Sequence, residues 1–201
     1  MIKNFNIFES INIKPINGEI YVTRDLSYAY AYASGYKSSA GPGMTKLKNG
    51  VIFVIWLGDD ILHYGGDVWK SGYENEIKND LKDYKENGES SRLLNELFEL
   101  AQIEPTDEQI DKMLKNPVEN LLQLISPSDW SYFQEKDMGY SEVVLKKVEW
   151  NQIIEIRLYK NFELKIIKGG SDKDMGDIYE EEDYDHVFYH GSPLSIWEGK
   201  L

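Results

Sequence analysis

Residues 187–201 read VFYHGSPLSIWEGKL, and how this stretch is read decides the fold. An apolar run leads to a His beside a Gly-Ser pair, with a Pro immediately after it. This pattern predicts a strand, HVFYH (186–190), that ends in a tight turn. Such a segment ordinarily opens a binding site, yet here it stands in the final part of the chain.

Upstream of it, GGSDKDMGD and YEEEDYD, within 169–185, form a polar, acidic stretch expected to be a solvated linker. Before that, YSEVVLKKV (140–148), QIIEIRLY (152–159) and FELKIIKG (162–169) have β-type patterning, with turns at Trp150-Asn151 and Lys160-Asn161. Near the other end EIYVT (19–23) is a predicted strand bounded by the Asn17-Gly18 turn signal. Asp25 is the expected N-cap of a short Ala/Tyr helix that Gly35 ends. SSAGPG (38–43) is a loop, and VIFVIWL (51–57) is apolar throughout, as a buried strand is. Residues 60–73 look irregular. From 74 to 126 the pattern changes to Leu and Ile at helical spacing, with capping-box residues at Thr106–Gln109 and a helix boundary at Pro117. The fold class is α+β, with mostly antiparallel strands and a helical insertion at 74–126, all in a single domain spanning 1–201.

Composition narrows the function classes. The chain has 201 residues, 41% hydrophobic and 13% aromatic, enough for one substantial core. There is no Cys, so disulfides, thiolate metal sites and Cys nucleophiles are excluded. MIKNFNIFES lacks an apolar signal core, and no stretch approaches about 18 apolar residues, so a cytoplasmic protein without a membrane partner is expected. The formal charge of −13 disfavours a polyanionic partner, because phosphate neutralisation supplies most nucleic-acid affinity. Protein or small-molecule partners are favoured.

Three separated segments suggest chemistry. EIYVTRDLSYAYAYA carries Tyr21 on a strand and Tyr32 eleven positions on, in the helix. GYSEVVL sets Glu142 at the start of a strand after a Gly-Tyr turn, and YHGS sets His190 beside Gly191 and Ser192. Alone, each has an ordinary structural use: a satisfied strand His, a helix-packing stripe, a surface Glu.

Together they resemble the ADP-ribosyltransferase superfamily, in its His-Tyr-Glu branch shared by diphtheria-type toxins and poly(ADP-ribose) polymerases. His190-Gly191-Ser192 is similar to that family's first core strand. Ile20-Tyr21-Val22-Thr23 with Tyr32 resembles its second strand and following helix, and Glu142-Val143-Val144-Leu145 its catalytic late strand. The order differs: the family runs His, Tyr, Glu, whereas this chain runs Tyr21, Glu142, His190. Joining YHGSPLSIWEGKL to the first twenty residues restores the family order, so the resemblance implies split antiparallel sheets in circular permutation. It covers the strand-bearing parts and leaves out the helical block and the acidic stretch.

The resemblance implies that NAD is bound as a substrate, without a metal. Glu142, His190 and Tyr21 are then the catalytic set, and Gly191, Ser192, Tyr32 and Thr23 hold NAD. Cleaving the nicotinamide–ribose bond develops an oxocarbenium-like charge that a carboxylate at Glu142 can stabilise. Tyr32 and Tyr21 offer flat stacking surfaces, and the Gly191 backbone is open to an amide because no Cβ blocks it. His190 would bond the adenine-side ribose. His63 and His186 share no metal-ligand spacing with acidic pairs. Tyr140 stands where Arg-specific relatives carry a second acid, which disfavours Arg as acceptor. The implied activity is mono-ADP-ribosylation of a macromolecule, protein before nucleic acid, by a toxin, effector or phage-type modifier. An NAD glycohydrolase and a non-enzymatic acidic binding module are the alternatives.

Overall fold

A computed structural model of the chain describes residues 16–34, 49–59, 61–63, 73–139, 141–160, 163–168 and 184–193. In chain order the elements are β1 (Ile16–Val22), α1 (Leu26–Ala33), β2 (Asn49–Trp56), α2 (Glu74–Asn87), α3 (Arg92–Leu100), α4 (Asp107–Lys115), α5 (Pro117–Asn120), α6 (Pro127–Met138), β3 (Val143–Val148), β4 (Ile153–Lys160), β5 (Glu163–Lys168) and β6 (Val187–Pro193). The class is α+β with antiparallel strand pairing. Two compact units divide the chain: one runs to Trp56 and resumes at Lys147, the other is Leu57–Lys146.

The first unit is built on a four-stranded sheet of order β5-β4-β2-β6, while β1 belongs to a separate two-stranded sheet. β2 lies between β4 and β6, and Val51 to Ile55 are all buried. That is why VIFVIWL is apolar at consecutive positions instead of alternate ones. α1 starts where the Asp25 carboxylate accepts the N–H groups of Ser27 and Tyr28, and these bonds, that from the Ser27 hydroxyl foremost, hold its pKa below the usual value. Ala29 and Ala33, one turn apart, pack α1 against Ile52, Val54, Val187 and Tyr189. The helix lies unusually close. A Cβ on Gly191 would stand 1.9 Å from the Ala29 carbonyl oxygen, and one on Gly50 2.1 Å from that of Ala33. Two glycines on adjacent strands thus provide the floor for two alanines.

The second unit is mainly helical. Ile77, Leu81, Leu94, Leu97, Phe98, Ile110 and Met113 form the buried stripes of α2, α3 and α4. Thr106 and Gln109 make the reciprocal capping box at α4, and Pro117 is the first residue of α5. The helices continue past the expected limit at 126. Ser126 caps α6 by accepting the Asp129 N–H at 3.1 Å, and the buried Trp130 and Phe133 hold its inner face. Gly139 ends it at φ 72.

Three other expectations change. Asn17-Gly18 does not form a turn but belongs to β1. Gly191-Ser192 is not a turn either: β6 runs on to Pro193, paired residue for residue with β2. α1 is capped at Ser34, whereas Gly35, Tyr140, the 38–43 loop and residues 169–183 lie outside the described residues.

His63 is fully buried in the second unit, its Nε2–H donating to the Ile125 carbonyl at 2.7 Å. Burial, with help from the Lys146 charge, pushes its pKa down against that hydrogen bond. Because the folded pKa lies below the ordinary value near 6.5, the unfolded chain binds more protons at acid pH. The stabilisation is complete above about pH 6.5 and is lost as pH falls toward the folded pKa, by up to about 1.4 kcal/mol per pH unit. The urea midpoint should therefore drop between about pH 6.5 and 5, above the range where exposed carboxylates titrate. A flat midpoint across that window would contradict a neutral, buried His63.

Candidate functional site

Six of the seven candidate residues lie in the first unit, five of them where the end of β1 meets β6. Thr23 and Tyr189 exchange both backbone hydrogen bonds, Thr23 N–H to Tyr189 at 2.9 Å and Tyr189 N–H to Thr23 at 2.7 Å. This is an isolated bridge, so the ladder stops there. The buried Thr23 turns its hydroxyl to the Asp25 N–H at 3.1 Å, which starts the bend into α1. Arg24 pairs with Asp185 at 2.8 Å, tying the same bend to the segment that enters β6.

His190 is fixed on two sides. Its Nδ1 lies 2.7 Å from the Tyr21 carbonyl oxygen, which can only accept, so Nδ1 carries the proton. Its ring stacks on Phe53, with centroids 6.1 Å apart and planes 25° from parallel. Burial lowers its pKa, against the opposing pull of the Tyr21 bond. At neutral pH the ring is then uncharged and Nε2 is an acceptor, suited to a hydroxyl donor.

The strand geometry assigns a second pair of groups. In an antiparallel ladder a residue directs its N–H and C=O to the same neighbour, and the direction alternates along the strand. Tyr189 directs both toward Thr23, so Gly191 directs both to that same edge, away from β2. Pro193 follows the parity: a residue without an N–H stands where none is needed for β2. Since the bridge is isolated, no described strand continues the ladder at Gly191. Among the described residues, one donor and one acceptor thus lie side by side on an edge with no strand laddered to it. The missing Cβ of Gly191 serves a different purpose from the one expected, because that space belongs to Ala29 of α1.

By the same alternation His190 and Ser192 share the sheet face opposite α1, and Ser192 is buried beside Val51. Tyr21 and Tyr32 both expose their rings, at 38% and 41%. Tyr32 meets Tyr28 edge to face at 5.1 Å on the outer side of α1. Phe53, which supports His190, escapes the sequence reading: nothing local in VIFVIWL announces which strand will lie beside it.

Glu142 lies in the second unit. It is buried at 5% exposure, immediately before β3, and its N–H donates to the buried Gln134 side-chain oxygen at 3.0 Å. A Glu at a strand start is ordinarily exposed, so its burial is the unexpected finding. Gln134 belongs to the helix the sequence reading omits. Among the described residues no group of three or more His, Asp or Glu side chains could hold a metal ion, and no helix is long and apolar enough to cross a membrane. Comparison with protein-family models, curated proteins and solved structures gives no match.

Proposed function

We propose that the protein is an NAD-dependent mono-ADP-ribosyltransferase of the His-Tyr-Glu type, circularly permuted, that modifies a macromolecular acceptor. The observation carrying this reading is the β1–β6 junction, where a His190 with a fixed tautomer adjoins the N–H and C=O of Gly191, to which no described strand continues the ladder. A carboxamide presents the complementary acceptor and donor, and a ribose hydroxyl can donate to His190 Nε2. The junction joins positions 169 residues apart, which is the neighbourhood that permutation requires.

In the proposed reaction the bond between the ribose C1′ and the nicotinamide nitrogen breaks. Nicotinamide leaves with the bonding pair as a neutral molecule. The acceptor's nucleophile bonds to C1′ and releases its proton to solvent. Glu142 is assigned to stabilise the positive charge that develops on the ribose, and Tyr21 and Tyr32 to offer stacking surfaces.

The direct test is incubation of the protein with NAD labelled on its ADP-ribose, in the presence of cell lysate. Label on macromolecules supports transfer. Free labelled ADP-ribose indicates the glycohydrolase, and intact NAD the binding module. Tyr32→Ala should weaken NAD binding by about 1 kcal/mol through lost stacking, measured by calorimetry, with a small effect on turnover at saturating NAD. Unchanged affinity would remove Tyr32 from the NAD site.

A further inference from the structure

A groove of about 890 Å³ opens in the second unit between α2, α3 and the loop leading to α4. Tyr84 and Phe98 meet edge to face in its wall, ring centroids 5.7 Å apart, and Ile103 and Pro105 extend the apolar surface. Glu99 and Glu104 stand exposed along it. Among the described residues neither carboxylate has an ion-pair partner. Four of the six cations in this stretch are paired with other carboxylates: Lys78 with Glu74, Lys85 with Asp111, Arg92 with Glu96 and Lys112 with Glu108. Residues 74–116 carry twelve Asp and Glu against six Lys and Arg, a balance of 6 − 12 = −6. The loop is preformed. Gln102 takes a left-handed conformation at φ 54, while the N–H of Gln102 reaches the Glu99 carbonyl and that of Ile103 the Phe98 carbonyl, each at 3.0 Å.

We propose that this groove docks a Lys- or Arg-bearing peptide segment of a protein partner. Charge complementarity selects the occupant: the negative field attracts a basic segment and repels nucleic acid. The aromatic and aliphatic wall takes the side-chain stems, and a cationic head is stabilised between an aromatic ring and a carboxylate. A rigid loop lowers the ordering cost of docking. The proposal does not rest on the NAD reading, since binding is measured without NAD.

The test uses the full chain and fluorescence anisotropy with a short labelled peptide alternating Lys or Arg with Leu, and with its Glu counterpart. The basic peptide should bind and the acidic one should not. Glu99→Lys with Glu104→Lys should weaken binding by about tenfold or more, and Tyr84→Ala by roughly fivefold. Glu119→Lys with Glu135→Lys changes the net charge equally at exposed positions away from the groove and should cost no more than about twofold. Urea midpoints of the variants verify that each is folded. Equal losses in the two double variants would overturn the proposal in favour of a diffuse field. So would equal binding of both peptides, or displacement of the basic peptide by an oligoribonucleotide.

Discussion

Glu142→Gln is expected to lower NAD turnover by roughly 10²–10³ while NAD affinity stays nearly constant. Glutamine preserves the shape of the side chain and its capacity to hydrogen-bond but removes the charge. A carboxylate that opposes positive charge on the ribose interacts only weakly with the ground state, so its loss falls on the chemical step. Glu142 is buried, and its backbone N–H is anchored on the Gln134 side-chain oxygen, so its backbone position is fixed. Glu74, the nearest rival in sequence character, is engaged by Lys78 at 2.7 Å on the surface of α2. Single-turnover rates and NAD dissociation constants of both Gln variants decide between them. Near-full turnover in Glu142→Gln with loss in a Glu74 or Glu76 variant would move the catalytic carboxylate to α2.

The features legible in the sequence were those set by local chemistry. Asp25, Thr106 and Pro117 mark helix starts because the cap groups and the fixed proline φ act within one turn. β2 is legible because a strand buried on both faces tolerates no polar position. YHGSP is misleading for the opposite reason. Gly, Ser and Pro favour turns locally, but pairing with β2 overrides that preference, and the Gly is required by α1 lying on it. α6 is weakly marked in the sequence although Ser126-Pro127 is a start signal, because only Trp130 and Phe133 supply its apolar spacing. Without α6, the sequence could not indicate the burial of Glu142 either, as Gln134 belongs to that helix. No local rule connects Tyr21 with His190, so their contact is not legible from either segment alone.

Gly191→Ala tests the packing beneath the site, and its effect on stability should be large. The new Cβ would lie 1.9 Å from the Ala29 carbonyl oxygen and 3.1 Å from the Ala33 backbone nitrogen. Both are backbone atoms, so no side chain can swing aside and α1 must lift from β6. Overpacking of this kind costs about 1–3 kcal/mol, and more where rigid elements must separate. Gly50→Ala creates the same conflict one strand away, at 2.1 Å from the Ala33 oxygen, and should destabilise by a similar amount. Gly50 lies on β2 and contributes no group to the β6 edge facing β1, so the pair separates packing from binding. Urea midpoints should fall in both variants. At concentrations of urea where each remains folded, Gly191→Ala should lose NAD affinity more than Gly50→Ala, because shifting β6 also moves the N–H and C=O beside His190. Equal affinity in the two variants would remove the Gly191 backbone from the NAD site, and an unchanged midpoint in either would show that α1 does not rest on these glycines.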